Sequence, residues 1–346
     1  AAMEKTAHAG IELRGRDLTS FTSITASDFG DLRQGSTRNP FYEDLGRMPF
    51  HVVRENGQDV VRTNDDSNVQ LGTGYEQIDV LEKLRLRSGD HLIHQLNLQL
   101  STSSNVPRYD RLSAYATDST GGIIPTYAEW FYGPQQRVLA AYTAEVDKEA
   151  TWFNSARITP SWQHQEQSRY NRRFQSNKRG INIEKVDVFG CNVDLEKRIG
   201  KHEIRYGLNL SHETVNSTAW NENISTGEHS YRTTRYPNGG STMDNLAAYV
   251  NHSMEISPKL IISEGLRFTR VGLTSTFADN DDFGFLNGSY EQRNGALTWR
   301  AGAVYMPGKG WRFSLLASSG FRAPNVDDIG KVFDSAQGDV IVPNPD

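Results

Sequence analysis

The chain has 346 residues, with 42 acidic against 37 basic side chains and a net charge of −5. That balance leaves no basic stripe for nucleic acid, and 36% hydrophobic residues are too few for a large water-excluding core. Aromatic residues nonetheless reach 10%, which excludes a disordered chain. A polar composition rich in Tyr, Phe and Gly fits a membrane β-barrel, where only alternate residues meet lipid.

No window of eighteen apolar residues exists, so a transmembrane helix is excluded. Ala1 to Gly10 carries neither the basic nor the apolar region of a signal peptide, and the true N-terminus is expected to lie upstream. The single cysteine, Cys191, excludes an intrachain disulfide and a multi-cysteine metal site. It reads as a small apolar residue on a strand.

Period-two alternation predicts about twelve strands, near 3–15, 18–28, 74–87, 91–103, 134–147, 152–172, 182–198, 201–216, 241–256, 259–275, 290–306 and 310–320. In the fourth, Leu92, Leu96, Leu98 and Leu100 share one face, interrupted by His94, and Gln95, Asn97, Gln99 and Ser101 share the other. Ile204, Tyr206, Leu208 and Leu210 alternate in the same way with Glu203, Arg205, Gly207 and Asn209, and Leu260, Ile262, Leu266 and Phe268 form another such face. Several runs reach the nine to eleven residues or so that a tilted strand needs to cross a bilayer.

Tight turns are expected at 15–17, 88–90, 147–151, 198–201, 256–259 and 307–310. Long links span 30–70, 104–132, 216–240 and 276–289, with a shorter one at 175–179. Short and long connections therefore alternate, which is the arrangement of short periplasmic turns and long extracellular loops. Trp152, Phe153, Tyr305 and Trp311 flank tight turns, where amphipathic rings fit an interfacial girdle as well as an ordinary core. Glu203, Arg205, Arg267 and Arg300 fall on the predicted inner faces and suit a wide, plugged lumen.

Near the end the chain reads Phe321-Arg322-Ala323-Pro324 and, after a spacer, Asn344-Pro345. These two boxes at this spacing closely resemble TonB-dependent outer-membrane receptors of the haem/haemoglobin and siderophore class, whose second box continues to a Leu beyond Asp346. Asn105–Ser113, Ala128–Arg137, Glu166–Phe174 and Thr234–Thr242 are compatible with the same family, so that the resemblance runs from about Glu4 to the end. It implies an all-β fold, with these residues forming an antiparallel segment of a barrel of about 22 strands. The whole chain, 1–346, would then be a partial barrel domain, with an N-terminal plug and the last strands outside it and the final residues lying in mid-loop. It implies import of a scarce ligand, an iron complex or haem, driven by the TonB complex. The implied partners are the receptor's own plug, TonB, the ligand, and the lipid and lipopolysaccharide of a Gram-negative outer membrane. No covalent cofactor and no nucleic acid are implied.

The box residues have physical uses of their own. Arg322 offers a rigid five-donor fork for carboxylates or carbonyls, of the plug or of neighbouring strands. Pro324 removes a ladder donor and ends a strand, and Asn344-Pro345 initiates a turn. They are read as mainly structural.

Haem receptors of this class commonly carry a histidine between the boxes. Here that stretch holds Asp327, Asp328, Lys331, Asp334 and Asp339 and no histidine, which counts against haem. His51 and His229 fall in predicted extracellular loops, as ligand residues or as solvated side chains. Tyr127, Trp130, Phe131 and Tyr132 form an aromatic cluster at a loop lip, either a stacking surface for a ligand or the upper girdle. Asp279, Asp281 and Asp282, like the run Asn64–Asn68, read as an oxygen-rich Ca²⁺ loop or as a solvated acidic turn.

No nucleophile, base and oxyanion grouping is legible, and the chain reads as no enzyme. A passive porin-like or adhesin barrel is the alternative function, and a soluble secreted β-protein is the third.

Overall fold

In the computed structural model, residues 3–37, 40–42, 45–278, 288–330, 333–336 and 339–341 are described. Twelve strands form one antiparallel sheet: β1 (Glu4–Arg14), β2 (Leu18–Phe29), β3 (Tyr75–Ser88), β4 (Leu92–Ser103), β5 (Gln136–Asp147) and β6 (Ser155–Arg173), then β7 (Lys178–Ile199), β8 (His202–Asn223), β9 (Ser241–Ser257), β10 (Leu260–Phe277), β11 (Gly288–Gly308) and β12 (Trp311–Ser318). Each pairs with the next in chain order. Among the described residues β1 and β12 do not pair with each other, so the sheet is an open arc.

Turn chemistry makes this meander. Lys309 and Gly310 both adopt positive φ, 55° and 78°, which matches the twist of the flanking strands in a two-residue hairpin. At the β7–β8 hairpin Gly200 takes φ 61°, a conformation a Cβ would resist.

The two faces of the sheet are chemically opposite. One row across it runs Val193, Leu208, Ala248, Phe268 and Leu297, and the next runs Leu195, Tyr206, Val250, Leu266 and Trp299. Leu266 and Phe268 are half exposed and Leu297 is 66% exposed. On the other face Asp194, Gly207, Tyr249 and Arg267 lie in register. Tyr249 donates a hydrogen bond to Asp194, and Arg267 Nη1 donates one to Asn209 at 2.7 Å. A Cβ on Gly207 would stand 2.9 Å from the Tyr249 hydroxyl, so the glycine makes room for the ring. Arg205 pairs with both Glu196 and Glu203.

Apolar side chains outside and paired polar ones inside invert the order of a water-soluble core. Rows of exposed leucine and phenylalanine this long have no counterpart on an ordinary soluble monomer. They fit lipid on that face, and a barrel's interior on the other. Trp152, Tyr305 and Trp311 stand exposed at the tight-turn end, as an interfacial girdle requires.

β7 and β8 each span 22 residues, from Lys178 to Ile199 and from His202 to Asn223, longer than the predicted 182–198 and 201–216. At about 3.4 Å per residue and a tilt near 40°, such strands rise about 57 Å, twice the roughly 25 Å apolar band. Toward their upper ends both strands turn largely polar, with Asn182, Glu184, Ser217 and Asn221 buried on the inner face, so apolar alternation fades from the sequence.

Candidate functional site

The long connections build a crown at the upper end of the sheet. Within the β2–β3 link, Phe50–Glu55 and Gln58–Thr63 form a hairpin, turned by Asn56 and Gly57 at φ 50° and 79°. In the β4–β5 link, Tyr127–Tyr132 pairs with the top of β6 and prolongs β5 upward.

Arg172, at the top of β6, ties these pieces together. Its guanidinium is bidentate to Asp59 of the hairpin, with Nη1 to Oδ2 at 2.7 Å and Nη2 to Oδ1 at 2.9 Å. Its Nε donates to Glu129 Oε1 at 2.8 Å. Glu129 also accepts from Arg179 of β7, at 2.8 Å, and Arg179 faces Glu222 of β8 at 3.4 Å. Asp59 further accepts from Arg54 and from the Gln175 backbone N–H. The Arg172 side chain is 2% exposed and that of Asp59 is fully buried.

Burial alone would raise the Asp59 and Glu129 carboxyls. For Asp59 the hydrogen bonds from Arg172 and Gln175 and the guanidinium charge win, and its carboxyl lies below the usual range. Arg179 and Arg172 do the same for Glu129. The network is ionised and fully engaged, which a low-dielectric site demands of a charge.

Beside it is a cavity of about 250 Å³, lined by Met48, His51, Leu71, Tyr127, Trp130 and Phe131 among others. His51 Nδ1 is buried with no hydrogen-bond partner among the described residues. Trp130 is 8% exposed, and the Arg108 guanidinium lies over its ring at 4.8 Å. Phe131 stacks on Tyr170 at 4.8 Å. The arrangement is an apolar, aromatic hollow beside a buried imidazole nitrogen that has no hydrogen-bond partner among the described residues.

Four of the six residues singled out as ligand contacts therefore meet in one place. Tyr132 does not line the cavity. It meets Trp130 edge-on at 5.1 Å and sits under Arg169. His229 lies elsewhere, exposed on a short strand paired to β8, its ring 5.8 Å from Trp220. Asp59, Glu129, Arg172 and Arg179 carried no expectation from the sequence. The Asn-Gly pair at 56–57 between valine-bearing runs was the signal for the hairpin that delivers Asp59.

The first box lies beyond the end of β12 at Ser318, in an irregular stretch. Pro324 is six residues past that end, so it is not what stops the strand, as had been expected. The strand ends instead where Ser319 caps the ladder: its N–H bonds to the Trp299 carbonyl and its hydroxyl takes the Trp299 N–H. Arg322 Nη2 grips both oxygens of Asp328, at 2.8 and 2.7 Å, so its partner comes from its own segment. Asp328 and Asn325 then exchange backbone and side-chain hydrogen bonds. Phe321 is exposed, and Ala323 and Pro324 are half-buried. The stretch feeds helix α1 (Val326–Gly330), whose Val326 is buried against Leu273 on the polar face of the sheet. Tyr236 Oη donates to Asp327 at 2.7 Å. Asn344 and Pro345 lie outside the described residues.

Asp279, Asp281 and Asp282 also lie outside the described residues. In the run 64–68, Asn64 donates to the Met48 and Val69 carbonyls, and the Asp66 carboxylate pairs with Arg33 at 2.6 Å. That set serves the loop rather than a cation. Among the described residues no group of three or more His, Cys, Asp or Glu is placed to hold a metal.

Comparison with known proteins accords with this geometry. A copper transporter, OprC, superposes with a TM-score of 0.67 at 6% identity over 95% of this chain and 46% of its own. The Serratia marcescens hemophore receptor HasR gives 0.63 at 12%, over 99% of this chain and 48% of HasR. The E. coli ferric-catecholate import receptor Fiu gives 0.57 at 13%, over 91% of this chain and 52% of Fiu. The chain thus spans about half the length of these structures, and at such identities they show the shared fold. No curated protein sequence matches. The family model for TonB dependent receptor-like β-barrels matches residues 13–346, and the chain belongs to that family.

Proposed function

We propose that this chain is part of an outer-membrane receptor of a Gram-negative cell that imports a scarce ligand, a ferric siderophore or haem, with energy from the TonB complex. Residues 1–346 act as a partial barrel domain around a plug contributed by the rest of the receptor. The observation that carries the reading is the crown. An aromatic cavity with one unsatisfied imidazole nitrogen is held on the water side of the apolar band by a buried ion network.

The similar structures support the ligand class. HasR is a hemophore receptor seen with HasA and heme, and Fiu is a ferric-catecholate import receptor. Ligand enters from the water above the crown, where aromatic faces take planar groups and His51 Nδ1 supplies one directed contact. The polar inner wall, with Arg205, Arg267 and Tyr249 already paired, presents fixed dipoles to a plug. The protein carries cargo and does no chemistry on it; the iron or haem is substrate, not a resident cofactor.

Growth of a deletion strain on haem, haemoglobin and ferric siderophores as sole iron sources, with and without functional TonB, tests this. Loss of growth on one source, only where TonB is functional, is the expected result. Loss on haemoglobin alone would identify haem despite the missing histidine between the boxes. A TonB-independent phenotype would overturn the reading in favour of a passive porin-like or adhesin barrel.

A further inference from the structure

A hollow of about 550 Å³ on the apolar face lies apart from the crown. Its lower row reads Cys191, Leu210, Leu246, Arg270 and Gly295, and its upper row Phe189, His212, Asp244, Gly272 and Arg293. Arg270 alternates with Leu266 and Phe268, so its side chain belongs to the lipid face, where it is exposed. An arginine there is costly at mid-depth, about 2–4 kcal/mol, and nearly free at the band's edge.

Its height places it at that edge. Arg270 is ten residues from Leu260 at the tight-turn end. At about 3.4 Å per residue and a tilt near 40°, it stands about 26 Å up, the upper limit of the apolar band. Leu210 and Leu246 lie level with it in register and Phe268 lies below, while above it charge begins with His212, Asp244 and Arg293.

The neighbouring charges are matched but Arg270 is not. His212 pairs with Asp244 at 2.7 Å and Arg293 with Glu291 at 3.1 Å. Arg270 has no ion pair or hydrogen bond among the described residues. Glycine opens the space around it. Its cross-strand neighbour is Gly295 and the next residue on its own face is Gly272, beside which nothing stands within 4 Å. A guanidinium with five free donors thus looks into a hollow whose lower wall is hydrocarbon.

We propose that this hollow binds the phosphorylated headgroup of an outer-leaflet lipid, with Arg270 on the phosphate and an acyl chain on Leu210, Leu246 and Phe268. The Arg fork suits phosphate oxygens, and the glycines admit a headgroup where side chains would bar it. The site rests on the outer-membrane reading above and adds to it a specific lipid contact.

The test uses the intact receptor, purified in detergent and titrated with bisphosphorylated lipid A and its dephosphorylated form, bound lipid being counted by native mass spectrometry. Outer-membrane fractionation and heat-modifiable gel mobility are scored separately for every variant. If the receptor fractionates elsewhere, the membrane reading falls and this site with it. If fractionation is correct and binding is absent, this site alone is overturned.

Arg270→Gln removes a charge from the lipid face and leaves the barrel folded. It should weaken lipid A binding about tenfold, the scale of one charge-assisted contact. Gly272→Val keeps Arg270, fills the hollow and suits a strand, and should weaken binding similarly. Dephosphorylated lipid A should bind wild type no better than Arg270→Gln binds the phosphorylated form. Equal binding by wild type and both variants overturns the site. Displacement of the lipid by millimolar inorganic phosphate overturns it too, leaving a plain anion site.

Discussion

The membrane band and the crown are built on the same strands by opposite means. In the band, stability is spread over rows such as Leu195–Tyr206–Val250–Leu266–Trp299, each residue touching only its neighbours and lipid. In the crown it is concentrated in a few charges, with Arg172 joining the β2–β3 link, the β4–β5 link and the β6–β7 turn. A distributed structure tolerates loss of any one member, whereas a concentrated one fails at its hub. The band is thus suited to persist where the crown is disturbed.

Breaking the hub is expected to have the largest effect. Arg172→Met leaves Asp59 and Glu129 buried without their main partner, a loss on the scale of about 3–5 kcal/mol for a severed buried pair. Because the damage is confined above the band, the barrel should keep its heat-modifiable mobility while residues 45–63 and 104–132 lose hydrogen-exchange protection. Unfolding of the whole barrel, or unchanged exchange, would contradict the division into two regions.

Next in size is a charge placed in the band. Leu266 is half exposed near mid-height on the lipid face, and Leu266→Arg should cost about 2–4 kcal/mol in reversible unfolding from lipid. Arg267→Leu, one residue on, would instead remove the donor to Asn209 on the inner face. The exposed-face change should lower barrel stability without touching crown exchange, the reverse of Arg172→Met.

Acid separates the regions without mutation. Asp59 and Glu129 have folded carboxyls below their ordinary values, near 3.9 and 4.3. Their contribution is complete above the unfolded values and is lost as pH falls through the lower folded ones. Crown protection, with the intrinsic pH dependence of amide exchange divided out, should therefore be flat from neutral pH to about 5 and fall below the usual carboxylate range. The two apolar rows carry no carboxylate or imidazole and should hold.

These two regions also differ in how far the sequence discloses them. All twelve strands and the six tight turns were readable, because each apolar row writes period two directly into its own strand. The upper parts of β7 and β8 were not, since Lys178–Ile181 and Ser217–Asn223 are mostly polar and lose that period, although Ile181, Ser217 and Asn221 are buried. The hub was invisible for another reason. Arg172 and Asp59 are 113 residues apart, and no local pattern relates them. The aromatic run Tyr127–Tyr132 and His51 were recognisable as chemistry in loops, but their meeting in one cavity, and the exclusion of Tyr132 and His229 from it, depend on how the hairpin folds over.

The smallest expected effect concerns the first box, which belongs to neither region. Arg322 and Asp328 form a bidentate but exposed pair, and such pairs contribute about 0.2–1 kcal/mol. Asp328→Asn should leave barrel stability within that range, because among the described residues of the segment Val326 is the one buried against the wall. Its local effect is larger in kind. Asp328 Oδ2 also receives the Asn325 N–H, so the substitution loosens the start of α1 and with it the Tyr236–Asp327 contact. Tyr236 has its hydroxyl pKa raised, first by burial, with Asp327 adding to it, and an NMR titration followed at a site-specific label on Tyr236 reads that contact. A fall in the Tyr236 pKa in Asp328→Asn, with barrel melting unchanged, would show that the box positions this helix on the inner wall. An unshifted tyrosine would mean that Val326 alone seats it.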